Sequence, residues 1–125
     1  MRYDCDLPGH ESNFVEVADS WSRAEMRRFR QLFGSESEAD NDEYLALIRS
    51  KTVALRLSCV GADDIADPCE LTDDRLDDID QTVYLWFASV HPVAVREINR
   101  LGEASVRRLW QPAEGSAAPT LPTPS

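Results

Sequence analysis

The stretch Thr72–Val90, TDDRLDDIDQTVYLWFASV, decides the fold. Leu76, Ile79, Val83, Trp86 or Phe87, and Val90 recur at steps of three and four. That spacing is one stripe of an α-helix, the face that must be hidden from water. Asp73, Asp74, Asp77 and Asp78 crowd its opening turns, where unpaired N–H groups and the helix dipole favour negative charge. Thr72 stands where an N-cap belongs. The expectation is one amphipathic helix around which the rest of the chain is packed.

C-terminal to it stands His91-Pro92. Pro92 suits the first position of a new helix, where its missing N–H does no harm, and His91 then reads as a helix-end residue. The next segment, PVAVREINRLGEASVRRLW, sets Val95, Ile98, Leu101 or Gly102, Ser105 and Leu109 on one side, with Arg107 and Arg108 near the end. Gly102 inside a helix costs about 1 kcal/mol relative to Ala, which points to a bend or a close helix contact there. Residues 111–125, QPAEGSAAPTLPTPS, hold four Pro and almost no charge. That composition reads as a disordered tail or linker, leaving residues 1–110 as one globular domain.

N-terminal to the central stretch, residues 2–18 read as a β-hairpin. Tyr3, Cys5 and Leu7 alternate with charges, and Pro8-Gly9 supplies the turn. Ser22 and Glu25 fit a capping box for a helix with the apolar stripe Met26, Phe29, Leu32 and Phe33, stopped by Gly34. Its four Arg residues (23, 27, 28 and 30) read first as a solvated or self-paired face, with phosphate binding as the rival. An acidic link, 35–43, leads to a helix capped by Asp40 or Asn41 and running to about Thr52. From Val53 the period becomes two, with Val53, Leu55, Leu57 and Cys59 on one face, which suits a strand joining the hairpin. Gly61–Leu71 is an acidic loop that lacks the EF-hand spacing. The fold class is therefore mainly α with a small N-terminal hairpin (α+β), about four helices forming a small bundle.

The chain has 125 residues, and 42% of them are hydrophobic, enough for one modest core. Acids outnumber Lys and Arg by 23 to 13, a formal net charge of −10, so nucleic acids and acidic membranes are poor partners. Nine acids and one Arg fall within 61–80. No apolar run approaches the roughly 20 residues that cross a bilayer, and the start MRYDCDLPGH is unlike a signal peptide. A soluble, non-secreted, cytosolic protein is expected. The three Cys residues form no C-x-x-C pair and the two His residues lack ligand spacing, so no metal or other cofactor is expected. No nucleotide loop or nucleophile elbow is present, and four acids at one wet helix start do not offer the two unlike environments that acid–base chemistry needs. The chain reads as a binding protein with no catalytic residues.

The order of parts carries a resemblance. A short hairpin precedes WSRAEMRRFR (21–30), then come an apolar helix, an acidic Gly/Pro loop, LTDDRLDDID (71–80), a helix, and NRLGE (99–103). This resembles the tail assembly chaperones of long-tailed phages, particularly those of actinobacteria, over residues 13–110. The resemblance implies a small acidic helical protein of the bacterial host's cytoplasm, absent from the finished virion. It implies non-covalent binding to the tape measure protein, with tail tube subunits as a second partner and self-association left open. A frameshifted longer product would diverge near 111–125. Contact residues for such a client are Trp21, Tyr84, Trp86, Phe87 and Trp110, with Asp73, Asp74, Asp77 and Asp78 as a charged rim. For most of the aromatic groups the plainer reading is the domain's own core. Trp21 and Trp110, near element ends, fit exposed contact best. Rival functions are a virion structural or head–tail connector protein and an acidic DNA-mimic inhibitor.

Overall fold

The computed structural model describes residues 1–110, so the expected tail at 111–125 lies outside the described residues. The elements in chain order are β1 (Arg2–Asp4), β2 (Phe14–Val17), α1 (Arg23–Leu32), α2 (Glu38–Lys51), β3 (Thr52–Arg56), a 3-10 turn (Pro68–Glu70), α3 (Asp73–Leu76) and α4 (Gln81–Trp110). The fold is α+β: four helices and a three-stranded antiparallel sheet in the order β1-β2-β3.

The hairpin forms where the alternation places it. Gly9 turns the chain at φ 84°, a conformation that suits glycine. The turn is tied down by Asn13, which is wholly buried. Its Nδ2 donates to the His10 carbonyl at 2.9 Å, and its Oδ1 accepts from the Ser58 N–H at 2.7 Å. β3 joins the hairpin as expected, but Val53 points outward, 57% exposed. A bulge pairs Glu16 with Ala54 and then Val17 with Thr52, so Val53 is the extra residue and the inward positions become Thr52 and Leu55.

α1 carries the expected capping box between Ser22 and Glu25. α2 begins three residues before the expected cap. The Ser37 hydroxyl accepts from the Asp40 N–H, and Asp40 is tied to Ser35 instead of capping.

The stretch at 72–90 is two helices, not one. Thr72 caps α3 as expected, accepting from the Arg75 N–H. The chain then leaves the helix at Asp77–Asp80, because these residues pair with the extended segment that follows β3. Val60 N–H donates to Asp78 O at 2.8 Å and Asp80 N–H to Ser58 O at 3.1 Å. Asp80 then caps α4, its carboxylate accepting from the Thr82 and Val83 N–H groups. Asp favours caps over helix interiors, so three Asp in the four residues 77–80 make a break cheap.

Pro92 does not begin a helix. It lies inside α4, which runs unbroken for 30 residues. The carbonyl that loses its partner belongs to Ala88, which is exposed, so water can satisfy it. The core joins α4 to the sheet: Val83, Phe87, Val90 and Ala94 share one cluster with Val15, Val17, Leu55 and Leu57. Of the alternatives at 86 and 87, Phe87 is the core residue.

Replacing Asn13 by Ala leaves the part-buried Ser58 N–H without its acceptor, a cost of about 1–3 kcal/mol. The urea midpoint should fall while the dependence on urea concentration stays unchanged. An unshifted midpoint would show that Asn13 does not fasten the hairpin to β3.

Candidate binding surfaces

α4 turns the same stripe inward from Val83 to Val95, and His91 shares it at 1% exposed. Apolar side chains do not end where the body ends. From Asn99 to Trp110 no residue is buried, a length of about 18 Å at 1.5 Å per residue. Leu101 is 46% exposed, Val106 54%, Leu109 81% and Trp110 68%. Leu101 and Leu109 continue the core-facing stripe, while Val106 and Trp110 stand on neighbouring faces, so apolar surface is exposed around much of this end.

Beside this outer half of α4 lies a groove of about 740 Å³. Trp21, Met26, Ile98 and Val106 give it apolar walls, and Arg23, Arg30 and Arg107 stand around it. Gly102 lies on its floor, and a Cβ placed there would meet nothing within 4 Å. The close helix contact expected at Gly102 is therefore absent, and the residue faces open space. Trp21 is held firmly. Its indole N–H donates to Ala18 O at 2.7 Å, its ring meets Phe29 edge-on, and the Lys51 ammonium lies 5.5 Å from the ring centre.

A second, smaller cavity of about 390 Å³ lies between α2 and the first half of α4. Phe33, Tyr44, Tyr84, Phe87 and His91 line it, with Asp73 among its polar residues. Burial pushes the Tyr44 hydroxyl up to about 12, with Tyr84 adding to the effect. Thr52 donates its hydroxyl to Ile48 O at 2.8 Å, so it accepts from the His91 Nε2–H at 3.0 Å. Burial lowers the His91 pKa to about 4 and keeps the ring neutral.

The acidic segment is knitted together by one cation. Arg75 donates to Asp63 O at 2.6 Å and lies 3.6 Å from Glu70 and 3.9 Å from Asp78. Asp67 and Glu70 are engaged as caps of the 3-10 turn. Among the described residues no group of three or more His, Cys, Asp or Glu is placed to hold a metal ion. The described helices include none long and apolar enough to cross a membrane. All three cysteines are free, Cys5 buried and Cys69 exposed.

The residues singled out from sequence do not form one site. Tyr84 and Phe87 line the smaller cavity, Phe87 as a buried core residue. Trp86 packs half-buried against the core. Trp21 lines the groove, and Trp110 stands exposed at the end of α4. Asp73 and Asp74 in α3 and Asp77 just after it are exposed, and Asp78 is half-buried, all ahead of α4. They are separated from the groove by roughly 25 Å of helix. Sequence reading missed that α1 and the outer half of α4 stand on two sides of one groove. Ile98, Val106 and Met26 carried the signal, but nothing in their spacing brings the two helices together. Compared with known proteins, the chain matches no family model, no curated protein and no solved structure.

The His91 environment sets a pH dependence. Its folded value, about 4, is below its ordinary 6.5. Between those values the unfolded chain takes up a proton that the folded chain refuses. Stability contributed here is whole above pH 6.5 and falls by up to ~3 kcal/mol as pH drops towards 4. Asp73, Tyr44 and Tyr84 are the other titratable groups around this cavity. A His91→Gln variant should lose less stability than the parent between pH 7 and 4.5 in urea titrations. Parallel pH profiles would sink this account.

Proposed function

We propose that the chain is a phage tail assembly chaperone that holds an apolar helical face of the tape measure protein by non-covalent contact. One observation carries the reading: the last ~18 Å of α4 holds no buried residue yet exposes Leu101, Val106, Leu109 and Trp110. A long client with exposed apolar helices needs such a face, presented on a protein whose net charge keeps complexes apart. The net charge of −10 supplies that repulsion. The order of parts shared with tail assembly chaperones names the client. Tail tube subunits are the second partner, and the work takes place in the host cytoplasm without catalysis. The DNA-mimic alternative is weakened because Arg75 sits among the acids that would have to imitate phosphates.

The test is co-expression with the tape measure protein encoded nearby, scoring its solubility and co-purification. The parent chain should keep the client soluble and co-purify with it, and should be missing from purified virions. Trp110→Ala should cut the recovered complex about tenfold or more, the loss expected for an aromatic anchor. Its helical circular dichroism should be unchanged. A client that stays insoluble while this chain purifies alone overturns the reading. Recovery of the chain from virions would instead favour a structural or connector protein.

A further inference from the structure

We infer that the groove between α1 and the outer half of α4 selects a client helix whose apolar face is flanked by acidic residues. The inference rests on the chaperone reading and names the chemistry of the segment held. Its first support is charge. In a chain with 23 acids and 13 Lys and Arg, a random surface would be acidic. This groove instead carries Arg23, Arg30 and Arg107 against the single acid Glu103. Among the described residues none of these three Arg forms an ion pair, whereas Arg28, on the same helix, is paired with Glu43. Cations left unpaired beside an apolar floor match carboxylates on an incoming segment.

The second support is shape. Arg23, Met26 and Arg30 lie at steps of three and four on α1, so they share one face. Ile98, Gly102 and Val106 repeat at steps of four on α4. Two helix faces that stand apart across an open groove, with apolar residues and Arg lining it, leave room for a third helix. Gly102 keeps the floor low, since nothing lies within 4 Å of where its Cβ would be. A second copy of this chain is the competing occupant, because its Thr72–Asp80 segment is also acidic and carries Leu76 and Ile79. That segment is the weaker fit. Ile79 is buried in its own core, and the backbones of Asp78 and Asp80 are tied to the segment at 58–60.

The probes are three labelled helical peptides of equal length, read by fluorescence anisotropy against the full chain. One has an apolar stripe flanked by Glu, one has the same stripe flanked by Lys, and one keeps Glu but replaces the stripe with Gln. The Glu-flanked peptide should bind at least tenfold more tightly than either control, and several-fold more weakly at 300 mM than at 50 mM salt. The triple variant R23E/R30E/R107E should invert the Glu/Lys preference, while R23K/R30K/R107K should keep it. Gly102→Phe should abolish binding by filling the floor, and it gains helix propensity, so its folding is protected.

Equal binding of the Glu and Lys peptides, or an unaltered G102F variant, overturns the proposal. Concentration-dependent self-association of the parent that G102F abolishes would make a second copy the occupant, and would overturn it too. Failure here is distinguishable from failure of the chaperone reading. A tape measure protein that co-purifies equally with parent and triple variant removes the electrostatic selection and leaves the chaperone standing. Tight binding of the Glu-flanked peptide without capture of the tape measure protein does the reverse.

Discussion

The contact between one stripe of α4 and the inner face of the sheet is the constraint on which the other elements depend. Val83, Phe87, Val90 and Ala94 meet Val15, Val17, Leu55 and Leu57 in a continuous cluster. Each fully buried side chain of this size is worth about 1.5–3 kcal/mol. Pro92 inside a helix costs about 3 kcal/mol. Ending the helix at His91 would have taken Ala94 and Val95 off the sheet, and His91 away from Thr52. Continuing it exposes only the Ala88 carbonyl, which already faces water. The larger burial decides the outcome, and α4 passes through its proline.

The same contact explains why the acidic segment breaks. Ile79 is buried in the core, 7% exposed. The isolated bridge between Cys59 and Ile79 holds it there and aims the first turn of α4 at the sheet. A helix running straight from Thr72 would have to give up that bridge and the Asp80 cap. The bulge at Val53 serves the same end from the other side. It brings Thr52 inward, where its hydroxyl links α2 to His91. Asn13 and Thr52 are polar groups that a pattern of apolar residues does not mark, yet each joins two elements across the core.

Local patterns were legible in the sequence to the extent that a single period governed them. The hairpin, the capping box at Ser22, the Thr72 cap and the stripe through Val83 and Val90 follow from neighbours within a turn or a strand. What failed was each place where a tertiary contact outweighed a local preference: Pro92, the break at Asp77–Asp80, the outward Val53. The start of α2 failed for a different reason. Ser37, Asp40 and Asn41 are all good caps, and only the Ser35–Asp40 hydrogen bond at 2.7 Å separates them. For the binding surface, the apolar content of 95–109 was visible, but its exposure was not. A helix stripe reads the same whether a sheet covers it or nothing does.

Charge is arranged along α4 as unevenly as apolar surface. At its start, the acids of 63–80 are partly spent on caps and on Arg75, and the remainder face water. At its far end, Arg23, Arg30 and Arg107 border an apolar trough. Roughly 25 Å of helix lies between the two ends, more than the ~8 Å screening length at physiological salt. Neither pole therefore cancels the other, and each acts on what approaches it. An apolar face alone would capture any greasy helix, and the net negative charge alone would repel any acidic one. The basic rim offsets that repulsion locally, over the trough. On the proposed reading, selectivity comes from the conflict between the global charge and the local one: an acidic segment is held where the apolar floor can bury its other face.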